Sequence, residues 1–226
     1  MDRIKKIHGM NEIAYAVAMV ICAFAVCIGT KANLGISVVA APGYLFSVIL
    51  KDYLPWITQG KAEYIWQGIQ LVVMCIIITR ARAKYLLSFL SSFLGGVLID
   101  MWYVVLGGNG AYESMVTRII ALVVSQILLG FAVSLFFKTT MPIQICELVS
   151  VEIAKRFNLK SSNVKLCYDM LMLVISLILA LAFTGALTGI GVGTIIIAFL
   201  TAPIANLFGK LWDRFFVFDS LFRKRK

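Results

Sequence analysis

Apolar positions fill six long runs of the chain, 12–30, 64–79, 85–106, 116–137, 164–184 and 189–209, and charged residues crowd into the intervals between them. A helix crossing the hydrocarbon core of a bilayer needs roughly 20 apolar residues, so these runs predict six transmembrane helices. Two further stretches have a different pattern. ISVVAAPGYLFSVIL (36–50) is short for a crossing and is interrupted by Pro42-Gly43, while TTMPIQICELVSVEIA (139–154) carries Pro142, Gln144, Glu147 and Glu152. Such polar groups are costly against lipid. Both stretches are expected to be re-entrant or half-helical segments, packed against protein or lining a cavity, where irregular backbone is tolerated at membrane depth.

Composition points the same way. The 226 residues are 61% hydrophobic and 14% charged, with a mean hydropathy of +0.95, whereas soluble domains carry about a quarter charged residues. The expected fold is an all-α polytopic membrane protein, with 1–226 forming a single membrane domain. The first residues, MDRIKKIHGMNE, lead into apolar sequence without a small-residue cleavage site. A retained first helix is expected there rather than a removed signal peptide.

Charge sets the orientation. With six crossings and both termini in the cytoplasm, 17 Lys and Arg fall inside and four (Lys31, Lys51, Lys61, Arg118) outside, as the positive-inside rule requires. An eight-crossing alternative divides them 16 to 5, but it puts the basic turn TRARAK (79–84) outside and drives Glu147 through lipid; six is preferred. The net charge of +10 then calls for anionic inner-leaflet lipid as partner, and for no nucleic acid. The tail 210–226 is basic and aromatic together, which suits an interfacial helix on the cytoplasmic leaflet.

The chain also resembles itself. Residues from 31 onward align with those from 138 onward, Lys31 on Lys138, Glu63 on Lys165 and Gln67 on Asp169, and Asp100 falls near Asn206. The order of span, broken segment, span, span recurs in 12–106 and 116–209. Three crossings per half would invert the second half relative to the first, and inverted-topology repeats place solute sites between the halves, beside the broken segments. Eight crossings would instead give parallel repeats.

Candidate site residues follow from that frame. Asp100 lies within a span after the close-packing pair Gly95-Gly96; an interfacial carboxylate beside Trp102 and Tyr103 is the alternative. Asp169 stands one turn from Lys165, either a simple i,i+4 ion pair or, with its repeat mate Gln67, part of a cavity wall. Glu147 and Gln144 would reach the midplane if their segment re-enters; along the surface, Glu147 and Glu152 would be solvated. Asn206, Asn33 and Ser37 are further polar contacts beside the broken segments.

Other chemistries are not expected. The one histidine, His8, lies in the basic N-terminus, the five cysteines form no C-x-x-C pair, and no G-x-x-x-x-G-K-[ST] loop occurs. The glycines of GALTGIGVGT follow no strand and read as small-residue packing or a flexible entry to a span. No cofactor, no metal and no enzymatic nucleophile–base pair are predicted.

The segments NLGISVVAAPGYLFS, GKAEYIWQGIQLVV, YLLSFLSSFLGGVLIDMW, KLCYDMLMLV and GIGVGTIIIAFLTAPI, in that order over residues 12 to 212, resemble the YczE/YitT/YyaS group of bacterial integral membrane proteins. The resemblance implies a multi-pass protein of the bacterial cytoplasmic membrane and a transporter, with no established catalytic residues. The soluble C-terminal domain of YitT-type members has no counterpart in the sequence, so regulation through it is not implied. Taken together, the expectation is a small-solute transporter, proton- or cation-coupled, acting on an unidentified small molecule at a site between the repeats. A substrate-binding subunit of an energised transport complex and a channel or accessory membrane protein are the alternatives; assembly with a second copy or an energising partner stays open.

Overall fold

The computed structural model describes residues 7–8, 10–79 and 82–217. Eight α-helices follow one another within them: α1 (Asn11–Ala32), α2 (Ala41–Leu50), α3 (Gln59–Ile78), α4 (Ala83–Val105), α5 (Met115–Lys138), α6 (Ile145–Arg156), α7 (Ser161–Leu179, widening into a π turn at Ala180–Thr184) and α8 (Val192–Phe215). Two short strands, β1 (Ile7–His8) and β2 (Phe216–Val217), pair in parallel and hold the two ends of the described chain together.

Six of the helices, α1, α3, α4, α5, α7 with its π turn, and α8, are long and apolar enough to cross a membrane. Their outer faces expose Ile76, Leu86, Val104, Phe199 and many like them, a surface that water would not tolerate at this density. The protein is an all-α polytopic membrane protein.

Each interrupted stretch contains one short helix, too short to cross a bilayer. α2 is 10 residues long and α6 is 12. Pro42 sits in the first turn of α2, where its missing N–H removes a donor that has no intrahelical partner anyway. Before α6 the chain runs without helix through Pro142, and side chains from other helices satisfy it. Thr140 N–H donates to Asn11 Oδ1 (2.8 Å), and the Pro142 carbonyl accepts from the hydroxyls of Tyr15 (2.8 Å) and Ser91 (3.0 Å). Lipid offers no such partners, so non-helical backbone must find them in protein.

Small residues let the helices approach. On α1 the buried Ala14, Ala18, Ala25, Gly29 and Ala32 form a seam, and a Cβ on Gly29 would crowd Ser125 of α5. α3 and α4 cross through Gly60 and Gly96, backbone against backbone. Close contact of this kind drives association where lipid removes the hydrophobic difference.

Packing repeats between the two halves. α1 lies on α4 as α5 lies on α8, α2 on α3 as α6 on α7, and α3 on α6 as α7 on α2, with α1 against α5 as the most extensive contact. The correspondence fails at α8. Whereas α4 packs along α3 and touches α6, α8 has no comparable packing on α7 or α2 among the described residues and leans on α5.

The boundaries of α8 also differ from the apolar run 189–209. Gly189–Gly191 is a loop, because the Ile36 N–H donates to the Gly189 carbonyl (3.0 Å) and the Gly193 N–H to that of Leu34 (2.9 Å). A Cβ on Gly191 or Gly193 would collide with the Leu34 carbonyl. These glycines serve packing of the 33–36 turn. At its other end α8 continues to Phe215, with Trp212 stacked on Phe208, edge-on to Phe131 and bonded to Ser134 Oγ. Of the expected interfacial tail, 210–215 therefore belong to α8, and 218–226 lie outside the described residues, as do Arg3, Lys5, Lys6 and Arg80 of the charge count.

Candidate functional site

A cavity of about 550 Å³ lies between α8 and the bundle of α3, α4, α6 and α7, where the packing of the two halves diverges. Both half-helices reach it with their N-terminal ends: Ser37 to Ala40 lead into α2, and Gln144 caps α6 with Glu147 in its first turn. The 33–36 turn against Gly189–Thr194 closes the gap beyond one end of the cavity. Lys138, Lys210 and Asp213 stand at the opposite end, where Lys138 and Asp213 form an ion pair (2.6 Å). Most of the wall is apolar, from Val26, Ile99, Leu129, Val133 and Ile197.

Polar chemistry concentrates in two constellations on the cavity wall. Lys165 of α7 lies 2.9 Å from Glu147 Oε1 and 3.0 Å from Asp169 Oδ1, so one ammonium serves two carboxylates. A chain of hydrogen bonds runs from the N-terminus of α6 to Glu63 of α3. The Ile145 N–H donates to Ser92 Oγ (3.0 Å), the Ser92 hydroxyl donates to Gln67 Oε1, and Gln67 Nε2 donates to Glu63 Oε1 (3.0 Å). The second oxygen, Glu63 Oε2, is buried and accepts no hydrogen bond. Glu63 is 6% exposed, and among the described residues no Lys or Arg comes within ion-pair distance of it.

Glu152 near the C-terminal end of α6 is a different kind of carboxylate. It is buried, accepts from Lys84 Nζ (2.7 Å) and Tyr85 Oη (2.8 Å), and has Arg82 at 3.6 Å and Lys155 at 3.7 Å. Burial acts against its charged form, but the bonds from Lys84 and Tyr85 and the surrounding cations outweigh that and hold the carboxyl below its ordinary range. It pins the half-helix to the start of α4.

No solved structure matches the chain. The sequence family of unknown function DUF6198 matches residues 10–210. The chain belongs to DUF6198. It is also 25% identical over 164 residues to the uncharacterized protein YyaS of Bacillus subtilis (strain 168), covering 71% of this chain and 76% of that one. Relatedness to YyaS agrees with the resemblance read from the motifs.

In this DUF6198 chain the cavity brings together six of the residues singled out by sequence: Ser37, Gln67, Gln144, Glu147, Asp169 and Asn206. Two lie elsewhere. Asn33 takes a left-handed conformation (φ 50°) at the C-terminus of α1 and borders a separate apolar groove between α5 and α8. Asp100 accepts from the Gly60 N–H (2.9 Å) and the Thr58 hydroxyl (2.6 Å), so its carboxylate clamps the N-terminus of α3 from a neighbouring helix. Ionised acceptors are favoured at that end of a helix. Glu63, Lys165 and Ser92 were not singled out as site residues. The i,i+4 pairing of Glu63 with Gln67, matched by Lys165 with Asp169, was the available signal.

Among the described residues no group of three or more His, Cys, Asp or Glu side chains is placed to hold a metal ion, and all five cysteines are free thiols.

Proposed function

We propose that the protein is a small-solute membrane transporter, coupled to protons or another cation, whose binding site is the cavity between two inverted-topology repeats. One observation carries this reading. The N-terminal ends of both half-helices meet at one cavity, and the aligned pairs Glu63/Gln67 and Lys165/Asp169, one from each half, both line it. Discontinuous helices that converge between repeats are how many transporters build a solute site. A volume of about 550 Å³ with a mostly apolar wall and a few convergent polar groups suits a small organic molecule.

The exchange of contacts between halves supports the repeat, and its failure at α8 supports a single-sided opening, with one half closed where α3 meets α4 and the other parted where α8 leaves α7. Orientation follows from the basic intervals, with both termini and the Lys138–Asp213 end of the cavity in the cytoplasm. The pairing of β1 with β2 supports placing the two ends of the chain on one side.

The test is flux in proteoliposomes over a panel of amines, amino acids, carboxylates and nucleobases. Saturable uptake that Glu147→Gln or Asp169→Asn removes, with the unfolding temperature retained, supports the reading. Flux that does not saturate would make the protein a channel, and binding without flux would make it the solute-binding part of a larger complex.

A further inference from the structure

Of the cavity's acids, Glu147 and Asp169 share Lys165 and Asp213 faces Lys138. Among the described residues Glu63 alone has no cation, and its Oε2 has no hydrogen-bond partner. The relay from the N-terminus of α6 ends on Oε1: Ser92 Oγ accepts from the Ile145 N–H and donates to Gln67 Oε1, with the Ser88 carbonyl as a second acceptor, and Gln67 Nε2 donates to Glu63 Oε1. Oε1 is held as an acceptor, and Oε2, buried against the bare backbone of Gly43, is left without a donor, so the carboxyl that lines the cavity has room for a proton or a positively charged group. The cavity wall also includes Val26, Ile99 and Cys22, which offer an apolar body contact but no counter-charge.

We propose that the Glu63 carboxylate is the recognition point for a small organic monocation, an ammonium or guanidinium group on an apolar body, and that the cation and a proton compete for it. With the cavity empty, the carboxyl carries the proton. When the cation arrives, its N–H donors take the carboxylate, the proton passes to cavity water, and the charge of the site is conserved. This deepens the transporter reading and rests on it for direction only, because the exchange is a binding equilibrium.

Other titratable groups face the same space. Cys146 and Glu147 of α6, Tyr168 and Asp169 with Lys165 of α7, and Cys22 of α1 surround Glu63. α2 offers Tyr44 alone, and on α4 Lys84, Tyr85, Asp100 and Tyr103 are engaged with Glu152, Thr58, Gly60 and Gln59. Lys165 supplies one ammonium to two carboxylates, so charge balance does not set the triad aside, and loss of proton release in Glu63→Gln is what assigns the proton to Glu63.

The experiment is calorimetric titration of the detergent-purified protein with phenethylammonium, guanidinium and butylammonium, beside the matched neutral phenylethanol and anionic phenylacetate, in buffers of different ionisation enthalpy. The expected result is binding of one or more of the cations but of neither control. About one proton should be released per cation, and affinity should rise about tenfold per pH unit while Glu63 is protonated. Glu63→Gln should abolish binding and proton release with the unfolding temperature unchanged or raised, and Glu63→Asp should restore weaker binding with proton release. Equal binding of the neutral or anionic probes, cation binding without proton release, retention of both in Glu63→Gln, or no binding by any probe would overturn the proposal. Proton-linked binding without flux in liposomes would instead sink the transporter reading and leave this site standing. Flux of other solutes indifferent to Glu63→Gln would do the reverse.

Discussion

The carboxylate of Glu63 rests on the bare backbone of Gly43, in the space that a Cβ on that glycine would occupy. A half-helix and a spanning helix thus meet through one missing side chain, and the position of the acid depends on it. Gly43→Ala should force Glu63 out of its bond to Gln67. Overpacking of this kind costs about 1–3 kcal/mol, visible as a lower unfolding temperature. Binding at Glu63 should weaken at least tenfold, whereas Gly110→Ala, which meets nothing within 4 Å, should change neither.

Asp100 should behave as a structural clamp. Asp100→Ala removes acceptors from the Gly60 N–H and the Thr58 hydroxyl and should destabilise the fold by about 1.5–3 kcal/mol, the range for hydrogen bonds to charged groups. Asp100→Asn keeps one oxygen and should cost less. Because the residue lies outside the cavity wall, thermal unfolding should register both variants while solute affinity stays at the wild-type value.

Lys165 stands between two acids, so its removal should be worse than removal of either. Lys165→Met leaves Glu147 and Asp169 together in a partly buried site, a change that costs about 3–5 kcal/mol when a buried partner is lost. Adding Asp169→Asn to Lys165→Met should recover part of the lost stability. A double-mutant cycle followed by thermal unfolding reads this directly, with additive losses as the outcome against it.

Glu152 predicts a pH dependence with a definite sign. Its carboxyl is held below the ordinary value of 4.5 in the folded protein, so the folded state binds that proton less readily than the unfolded one. The stabilisation is present in full above the unfolded value and is lost as pH falls through the lowered folded value. Comparing the unfolding temperatures of wild type and Glu152→Gln from pH 7 down to about 3 should show a gap that is widest near neutrality and narrows below the ordinary carboxylate range.

The six spans and the two half-helices were legible because each rests on a local signal, a run of apolar residues or a proline in the middle of one. Gln67, Gln144, Glu147 and Asp169 line one cavity, and the signals that pointed to them were the interrupted segment, for Gln144 and Glu147, and the polar i,i+4 pairs, for Gln67 and Asp169. What was not legible depends on contacts between distant residues. Asp100 reads as a stray intramembrane acid until α4 is laid beside Thr58 and Gly60, some 40 residues earlier. Glu63 reads as an interfacial residue if its helix starts at 64. The helix starts at Gln59, with Thr58 as its cap, which carries Glu63 more than a turn inward, and its lack of a counter-ion appears only once every neighbouring lysine is placed. The glycines of GIGVGT look like an entry to a span until the Leu34 carbonyl is found against them.

The parallel pairing of Ile7–His8 with Phe216–Val217 makes the chain topologically close to a ring. If the two ends were joined by a short linker there and the ring opened instead between Gly107 and Ser114, the order of synthesis would become α5 to α8 followed by α1 to α4, with every helix keeping its neighbours. Such a permuted chain should insert and fold, since the order of the two halves along the backbone carries none of the contacts between them.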